Sequence, residues 1–142
     1  MEKRTSIEKH YMSAKKACNA LSRMIKRLAA EEKGGADTEI LEGLSDSVVK
    51  RFELTYEMFW KYLKNYLFEK HAIEQTSPRE VFRACATHKI TTPQETELFT
   101  KMVQTRNLTT PIYDQELAIS AIVDQIPPYC ELIKKVLERA KI

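Results

Sequence analysis

The stretch VVKRFELTYEMFWKYLKNYL, residues 48–67, places large apolar side chains at intervals of three and four residues throughout its length. On a helix of 3.6 residues per turn, this spacing gathers the apolar side chains into one continuous stripe. We therefore predict a long amphipathic helix that begins after Ser45–Asp46 and ends near Lys70. Its packed side comprises Val48, Val49, Phe52, Tyr56, Phe59, Trp60, Leu63 and Leu67.

A long helix is also predicted before this stretch. Thr5 suits the N-cap position, Glu8 stands where its capping-box partner belongs, and Gly34 follows the last apolar position. These residue types satisfy the unpaired backbone groups at helix ends. The inward positions of this helix are Ile7, Tyr11, Ala14, Cys18, Leu21, Ile25 and Leu28.

Two short helices are predicted by a repeated start signal. Ser77-Pro78-Arg79-Glu80 and Thr92-Pro93-Gln94-Glu95 each supply an N-cap, a proline at the first helical position and a capping-box glutamate. A last long helix should begin around residues 110–114. Pro127–Pro128 interrupts its middle, and we expect a kink or a short break there. Its inward positions are Leu117, Ala121, Ile122, Ile126, Tyr129, Ile133, Val136 and Leu137.

The composition fits a single all-α domain over residues 1–142. Only three glycines occur in 142 residues, which leaves little of the turn chemistry that β-hairpins require. No segment of the sequence reads as a strand. The predicted fold is an up-and-down helical bundle of three long and two short helices, the last kinked at Pro127–Pro128.

Several classes of protein are disfavoured by what the sequence lacks. The three cysteines, Cys18, Cys85 and Cys130, are odd in number and far apart, which is typical of reduced core thiols in a cytosol. No apolar run is long enough to span a bilayer, so we expect a cytoplasmic protein. We expect no cofactor and no metal, because the sequence has neither a glycine-rich phosphate loop nor Cys/His ligand spacing. The net charge of +3 is too small to indicate a partner.

Arg106 is the most informative polar residue. It lies eight and four residues after Leu98 and Met102, and Asn107 has the same relation to Phe99 and Val103, so both residues are predicted to continue a buried helix face. A guanidinium group keeps its charge there, and it must be paired, partly solvated or used to bind an anion. An arginine near a helix C-terminus can also simply offset the helix dipole.

Three blocks of sequence, residues 52–64, 77–83 and 106–114, together resemble the nucleotidyltransferase substrate-binding proteins of the HEPN superfamily. The blocks occur in the same order as in that family and cover roughly residues 45–118. The third block reads RNLTTPIYD. The chain also lacks the Gly-Ser and Asp-x-Asp signature with which a minimal nucleotidyltransferase holds magnesium, so it is not itself the transferase.

The resemblance implies a compact helical homodimer that works beside a minimal nucleotidyltransferase encoded as a separate chain, often as a toxin–antitoxin pair. Active toxins of the superfamily carry an Arg-x4-His-x-Tyr motif and cut RNA without a metal. The transferase is implied to silence the toxin by attaching adenylate to the motif tyrosine. Matched to this motif, Arg106 is the arginine, Asn107 its neighbour and Tyr113 the modification target.

Pro111 stands where the motif histidine belongs. Metal-free RNA cleavage needs a group that accepts and returns a proton near neutral pH, and proline has no titratable atom. The interpretation we favour is therefore a non-catalytic or weakly catalytic partner and modification target of a nucleotidyltransferase. The alternatives are a HEPN ribonuclease toxin in which Arg106 remains catalytic, and a non-catalytic dimeric scaffold.

Further residues complete the predicted binding site for a nucleotide or RNA. Thr110–Pro111 has the form of a helix start, whose first amides would point at an anion. Glu57 and Lys61 form a favourable i, i+4 ion pair, which is either surface chemistry or, as the resemblance implies, part of the interface or motif. Arg79 and Arg83 share one face of the third helix and suit either a phosphate, an acidic partner or plain solvation.

Overall fold

The computed structural model describes residues 5–109 and 116–142, without the side chains of residues 116–118. The described part contains five helices and no strand, which confirms the all-α bundle. The helices are α1 (Ser6–Lys33), α2 (Thr38–His71), α3 (Pro78–Thr87), α4 (Pro93–Thr109) and α5 (Glu116–Arg139). None of them is long and apolar enough to cross a membrane.

The ends of α1 are those expected from the sequence. The Glu8 amide donates a hydrogen bond of 3.3 Å to Thr5 Oγ1, so Thr5 is the N-cap. Gly34 caps the other end, where its amide donates to the Ala30 carbonyl oxygen. Both bonds satisfy backbone groups that the helix alone leaves unpaired.

The predicted start of α2 is wrong by about two and a half turns. The helix begins at Thr38, because Asp37 is its N-cap and accepts a hydrogen bond of 2.9 Å from the Ile40 amide. Leu41 and Leu44 pack against the core and extend the apolar stripe towards the N-terminus. Ser45–Asp46, which suggested a start, therefore lies inside the helix. The apolar stripe of α2 extends past Ser45–Asp46, although the side chains of this polar pair are typical of a helix N-cap.

Both short-helix starts are confirmed. The Glu80 amide donates to Ser77 Oγ. At the start of α4 the capping box is reciprocal, because the Thr92 amide donates to the Glu95 carboxylate and the Glu95 amide donates to Thr92 Oγ1. The same carboxylate forms an ion pair with Arg139 and so ties the end of α5 to the start of α4. These contacts lower the pKa of Glu95, the hydrogen bond from Arg139 being the largest cause.

The final helix continues through Pro127–Pro128, so the short break that the sequence left open does not occur, and a bend there stays a prediction. Both prolines are exposed, on the side of α5 that faces away from the core. Ala121 was expected to point inward but is exposed, because the buried face of α5 runs through its neighbours Ile122 and Val123. The predicted start of this helix, at residues 110–114, lies outside the described residues.

The core is built around aromatic rings on α2. Phe59 packs beside one ring of α3 and one ring of α4, with ring centroids 6.0 Å from Phe82 and 5.7 Å from Phe99. Phe82 and Phe99 stack on each other at 4.3 Å, and Phe52 of α2 stacks on Tyr129 of α5 at 5.9 Å. Four helices thus share one aromatic cluster.

The three cysteines are buried and free, in agreement with the sequence. Cys18 of α1 and Cys130 of α5 face each other in the core, with sulfur atoms 3.9 Å apart. Burial raises the pKa of the Cys85 thiol to about 12, which keeps it protonated and unreactive.

We expect Phe99→Ala to lower the free energy of unfolding by about 3–5 kcal/mol, because it removes a fully buried ring from the aromatic cluster and leaves a cavity. Denaturant unfolding gives the value, and an unchanged slope would show that only stability has changed. Phe68→Ala is the matched control, since that phenylalanine of α2 is 53% exposed. Equal losses in the two variants would contradict the assignment of Phe99 to the core.

Candidate functional site

Arg106 lies in the last turn of α4, with its guanidinium group turned towards α2. Its Nη1 atom is 3.4 Å from Glu53 Oε2 and donates a hydrogen bond of 3.0 Å to Thr109 Oγ1. Thr109 in turn donates to the Arg106 carbonyl oxygen at 2.8 Å. The side chains of Arg106 and Glu53 are only 22% and 16% exposed. Among the possibilities that the sequence left open, Arg106 is thus paired and largely buried.

One guanidinium nitrogen of Arg106 is not satisfied by the described residues. Its Nε atom is buried and has no hydrogen-bond partner among residues 5–109 and 116–142. An unpaired N–H of a charged group is costly to bury, so such atoms are rare and call for an acceptor. The site therefore has capacity for one more hydrogen bond to an oxygen.

An open groove of about 790 Å³ runs along α2 to Arg106, and we call it the Arg106 groove. Three carboxylates and three basic groups contribute to its walls, so an anion that approaches Arg106 meets negative charge as well as positive. The lining residues are Asp46, Ser47, Lys50, Arg51, Glu53, Leu54, Glu57 and Arg106.

The predicted pair Glu57 and Lys61 is present, and one member belongs to the groove. Lys61 Nζ lies 3.4 Å from Glu57 Oε2, and Trp60 Nε1 donates to the same oxygen at 3.3 Å. Glu57 lines the Arg106 groove, whereas Lys61 does not and is 63% exposed. The structure therefore brings Glu57 together with Arg106 and leaves Lys61 as a surface partner of Glu57.

The prediction that Asn107 continues the buried face is wrong, because Asn107 is exposed. At this end of α4 the buried face runs through Thr105 and Thr109. Asn107 lies two residues from each of them, about 200° around the helix. The predicted residues Thr110, Pro111 and Tyr113 lie outside the described residues.

Two residues of the site were missed by sequence reasoning. Glu53 precedes Glu57 by one turn and so shares its face of α2, which was a usable signal. Thr109 follows Arg106 by three residues, within reach of its side chain. Neither signal was specific, because charged and hydroxyl residues occur on most helix surfaces of this chain.

Tyr56 is a buried tyrosine of α2, and charged groups on α2, α3 and α4 act on its phenol group. It is buried against Phe52 and Phe82. Burial, and to a smaller extent the Glu57 carboxylate, raise the pKa of Tyr56 to about 12, while Arg106 and Arg79 oppose the rise. Both arginines therefore lie close enough to Tyr56 to act on it electrostatically.

The histidines have partners elsewhere in the described structure. His10 contacts Asn65, with His10 Nδ1 2.8 Å from Asn65 Nδ2. His71 and His88 lie against each other, with ring centroids 4.6 Å apart. Residues 5–109 and 116–142 contain no group of three side chains of the types that hold a metal ion.

The fold and sequence define a known class of protein. The sequence model of the nucleotidyltransferase substrate binding protein like family matches residues 9–142, and the chain belongs to this family. A Thermus thermophilus protein of known crystal structure is 34% identical, with a TM-score of 0.76; the match covers 91% of this chain and 99% of that one.

A second solved structure shares the fold at lower identity. It is described as a toxin–antitoxin with AMP-PNP, and the matched chain is 20% identical with a TM-score of 0.68. The match covers 97% of this chain and 100% of that one. A search of curated proteins finds no match to the chain.

We expect a double-mutant cycle with Glu53→Gln and Arg106→Gln to give a coupling energy of about 1–2 kcal/mol, between the values for exposed and fully buried ion pairs. Denaturant unfolding of the four proteins measures it. The cycle for Glu57→Gln and Lys61→Gln is the control and should give about 0.3–0.5 kcal/mol, because Lys61 is solvated. If the coupling energy of Glu53 and Arg106 is no larger than that of Glu57 and Lys61, burial does not strengthen the first ion pair.

The raised pKa of Tyr56 predicts how the stability of the protein changes at alkaline pH. Because the folded-state pKa is raised from 10.0 to about 12, the unfolded chain releases the phenol proton first. The stability that neutral Tyr56 contributes is present below pH 10 and is lost as the pH rises towards 12. Tyr56→Phe should therefore lose less stability than the wild type over this range, measured by denaturant unfolding at each pH. An identical slope in the two proteins would contradict the assignment.

Proposed function

We propose that this chain is the partner and modification target of a separate nucleotidyltransferase, with Tyr113 as the acceptor of the nucleotidyl group and Arg106 as the residue that holds a phosphoryl oxygen beside it. The observation that carries this proposal is the largely buried Arg106 guanidinium group, which lines an open groove and whose Nε atom has no acceptor among residues 5–109 and 116–142. A charged N–H with no acceptor suits a phosphate oxygen.

The proposed roles divide among few residues. Glu53 and Thr109 fix the direction of the guanidinium group through Nη1. Glu57 lines the same groove, with Lys61 beside it on the surface. Asn107 and Thr110 follow Arg106 by one and four residues in the sequence and are further binding candidates, Asn107 from its exposed position.

The transfer step would be a displacement at the α-phosphorus of ATP. The phenolic oxygen of Tyr113 forms the new bond to that phosphorus, the bond to the bridging oxygen breaks, and pyrophosphate leaves. The phenol proton is lost to a base, and the transferase with its magnesium supplies the catalytic groups. This chain supplies the acceptor hydroxyl and, through Arg106, a counter-charge for the phosphoryl group.

The ribonuclease alternative is less well supported by the residues. Pro111 supplies no proton-transfer group. Loss of an acid–base group typically lowers a rate by about a hundred- to ten-thousandfold. Arg106 alone can bind a phosphodiester and stabilise its charge, so weak residual cleavage is compatible with the site. The third interpretation is a dimeric scaffold in which the motif has no role.

The assembly belongs to the proposal as well. Family membership and the toxin–antitoxin neighbour support a protein partner. The neighbour was solved with AMP-PNP, an analogue of the nucleotide that the proposed transfer uses. We further propose that two copies of the chain form a homodimer, and that the pair works in the cytoplasm.

The proposal is tested by measuring the intact mass of the protein after incubation with its neighbouring nucleotidyltransferase, ATP and magnesium. We expect the mass to increase by whole adenylate units in the wild type and not in Tyr113→Phe, because only the former has the acceptor oxygen. Tyr66→Phe, which removes the hydroxyl of a half-buried tyrosine on α2, is the matched control and should be modified normally.

Two outcomes would overturn the proposal. Adenylation that persists in Tyr113→Phe would show that another residue is the acceptor. If the mass of the wild type does not change with a transferase that is active on another acceptor, this chain is not a modification target. Growth arrest on expression of this chain alone, abolished by Arg106→Ala, would instead favour the ribonuclease alternative.

A further inference from the structure

A second groove lies between α3 and α4 and shares no lining residue with the Arg106 groove. We call it the α3–α4 groove; its volume is about 180 Å³. It is lined by two arginines, two threonines and two apolar side chains, and by no carboxylate among the described residues. The lining residues are Arg79, Phe82, Arg83, Thr96, Thr100 and Val103.

Arg79 and Arg83 stand one turn apart on α3, so their side chains project from the same face. Neither forms an ion pair within residues 5–109 and 116–142, whereas Arg27, Arg106 and Arg139 each pair with a glutamate. Glu80, the acidic residue between them, has its carboxylate engaged by Ser77 and Thr76 at the helix cap. The two guanidinium groups thus keep their donors available.

The position of Arg79 on α3 also favours a bound anion. Arg79 is the second residue of the helix, where the positive end of the helix dipole opposes a cation. No basic residue occupies the last turn of α3, where a cation would be favourable. An anion bound beside Arg79 would therefore relieve the repulsion at this end of the helix.

The two threonines of the groove offer no hydrogen-bond donor to an anion, and Thr96 Oγ1 also lies 3.0 Å from Thr91 Oγ1. Thr96 and Thr100 donate their hydroxyl hydrogens to the carbonyl oxygens of Thr92 and Thr96, which leaves lone pairs on the hydroxyl oxygens rather than free donors. Binding of an anion would therefore depend on the two arginines. A guanidinium group donates bidentate bonds to phosphate, which makes a phosphoryl group the best-matched ligand.

We propose that the α3–α4 groove binds phosphoryl groups through Arg79 and Arg83, either along the backbone of a single RNA strand or in the phosphate chain of a nucleotide. The arginine side chains act together as a clamp. The proposal does not depend on Tyr113 or on its modification.

The test is fluorescence anisotropy with labelled uridine homopolymer RNA and, separately, with a labelled ATP analogue, each over a series of salt concentrations. We expect Arg79→Ala combined with Arg83→Ala to weaken binding by roughly tenfold or more for whichever of the two probes binds to this groove. For RNA, the slope of log K against log salt concentration should become shallower by about 1.4. Each single-strand phosphate contact contributes about 0.7 to this slope, and the double variant removes two arginines.

Arg23→Ala combined with Arg27→Ala is the matched control. These arginines have the same spacing and the same total charge, and both are exposed on α1, which packs against α2 and α5 rather than against α3 or α4. A change of both α3 arginines to lysine keeps the charge and should retain the salt dependence while losing part of the affinity.

The outcome also identifies the source of the phosphoryl group. A loss specific to the α3 double variant on the RNA probe supports a strand, and a loss confined to the ATP analogue supports a nucleotide. Equal losses in the α1 and α3 double variants would show a general charge effect and overturn the site, as would wild-type binding in the α3 variant or no binding of either probe. Adenylation of Tyr113 would be unaffected by such a failure.

Discussion

The burial of Phe52 and Phe59 holds α2 at the centre of the bundle, because their rings meet aromatic rings from α3, α4 and α5. Each buried aromatic side chain contributes a large apolar area, and ring-to-ring contacts add orientation. These contacts fix the rotation of α2 about its own axis. Since side chains one residue further along the helix point about 100° away, that rotation also decides which polar residues of α2 face α4.

Glu53 immediately follows Phe52, and Glu57 follows Tyr56. The aromatic face of α2 therefore determines where the two carboxylates stand relative to Arg106. The result is a groove of mixed charge with a well-oriented guanidinium group at one end. A ligand that binds there has to displace the Glu53 carboxylate from Arg106 or share the guanidinium group with it. Charge attraction alone is therefore not enough for an anion, which must also accept a hydrogen bond. The Nε atom of Arg106 has no acceptor among residues 5–109 and 116–142, and a phosphoryl oxygen that accepts a hydrogen bond from it would meet this requirement. This is the physical basis of the proposed role of Arg106.

Most of the fold follows from interactions between residues close in sequence, and the sequence predicted those parts well. The caps at Thr5, Ser77 and Thr92 were recognised because a side-chain oxygen and an amide three residues later form a local contact. The start of α2 was misplaced because Ser45–Asp46 has cap-like side chains, although Asp37 is the cap that the packing of Leu41 and Leu44 supports. At Pro127–Pro128, sequence rules left a break possible, and the apolar face on the other side of α5 keeps the helix intact.

The sequence by itself determined an all-α chain, the position of its helix starts at three caps, and the importance of Arg106 at the end of an apolar helix. Only the tertiary structure decided that Arg106 pairs with Glu53, that Asn107 is exposed and that Arg79 and Arg83 line a groove against α4. Periodicity and capping depend on contacts within about one turn, so they can be read along the chain. The partner of a charged side chain on another helix depends on how both helices are rotated when their apolar faces pack, and no local pattern contains that angle.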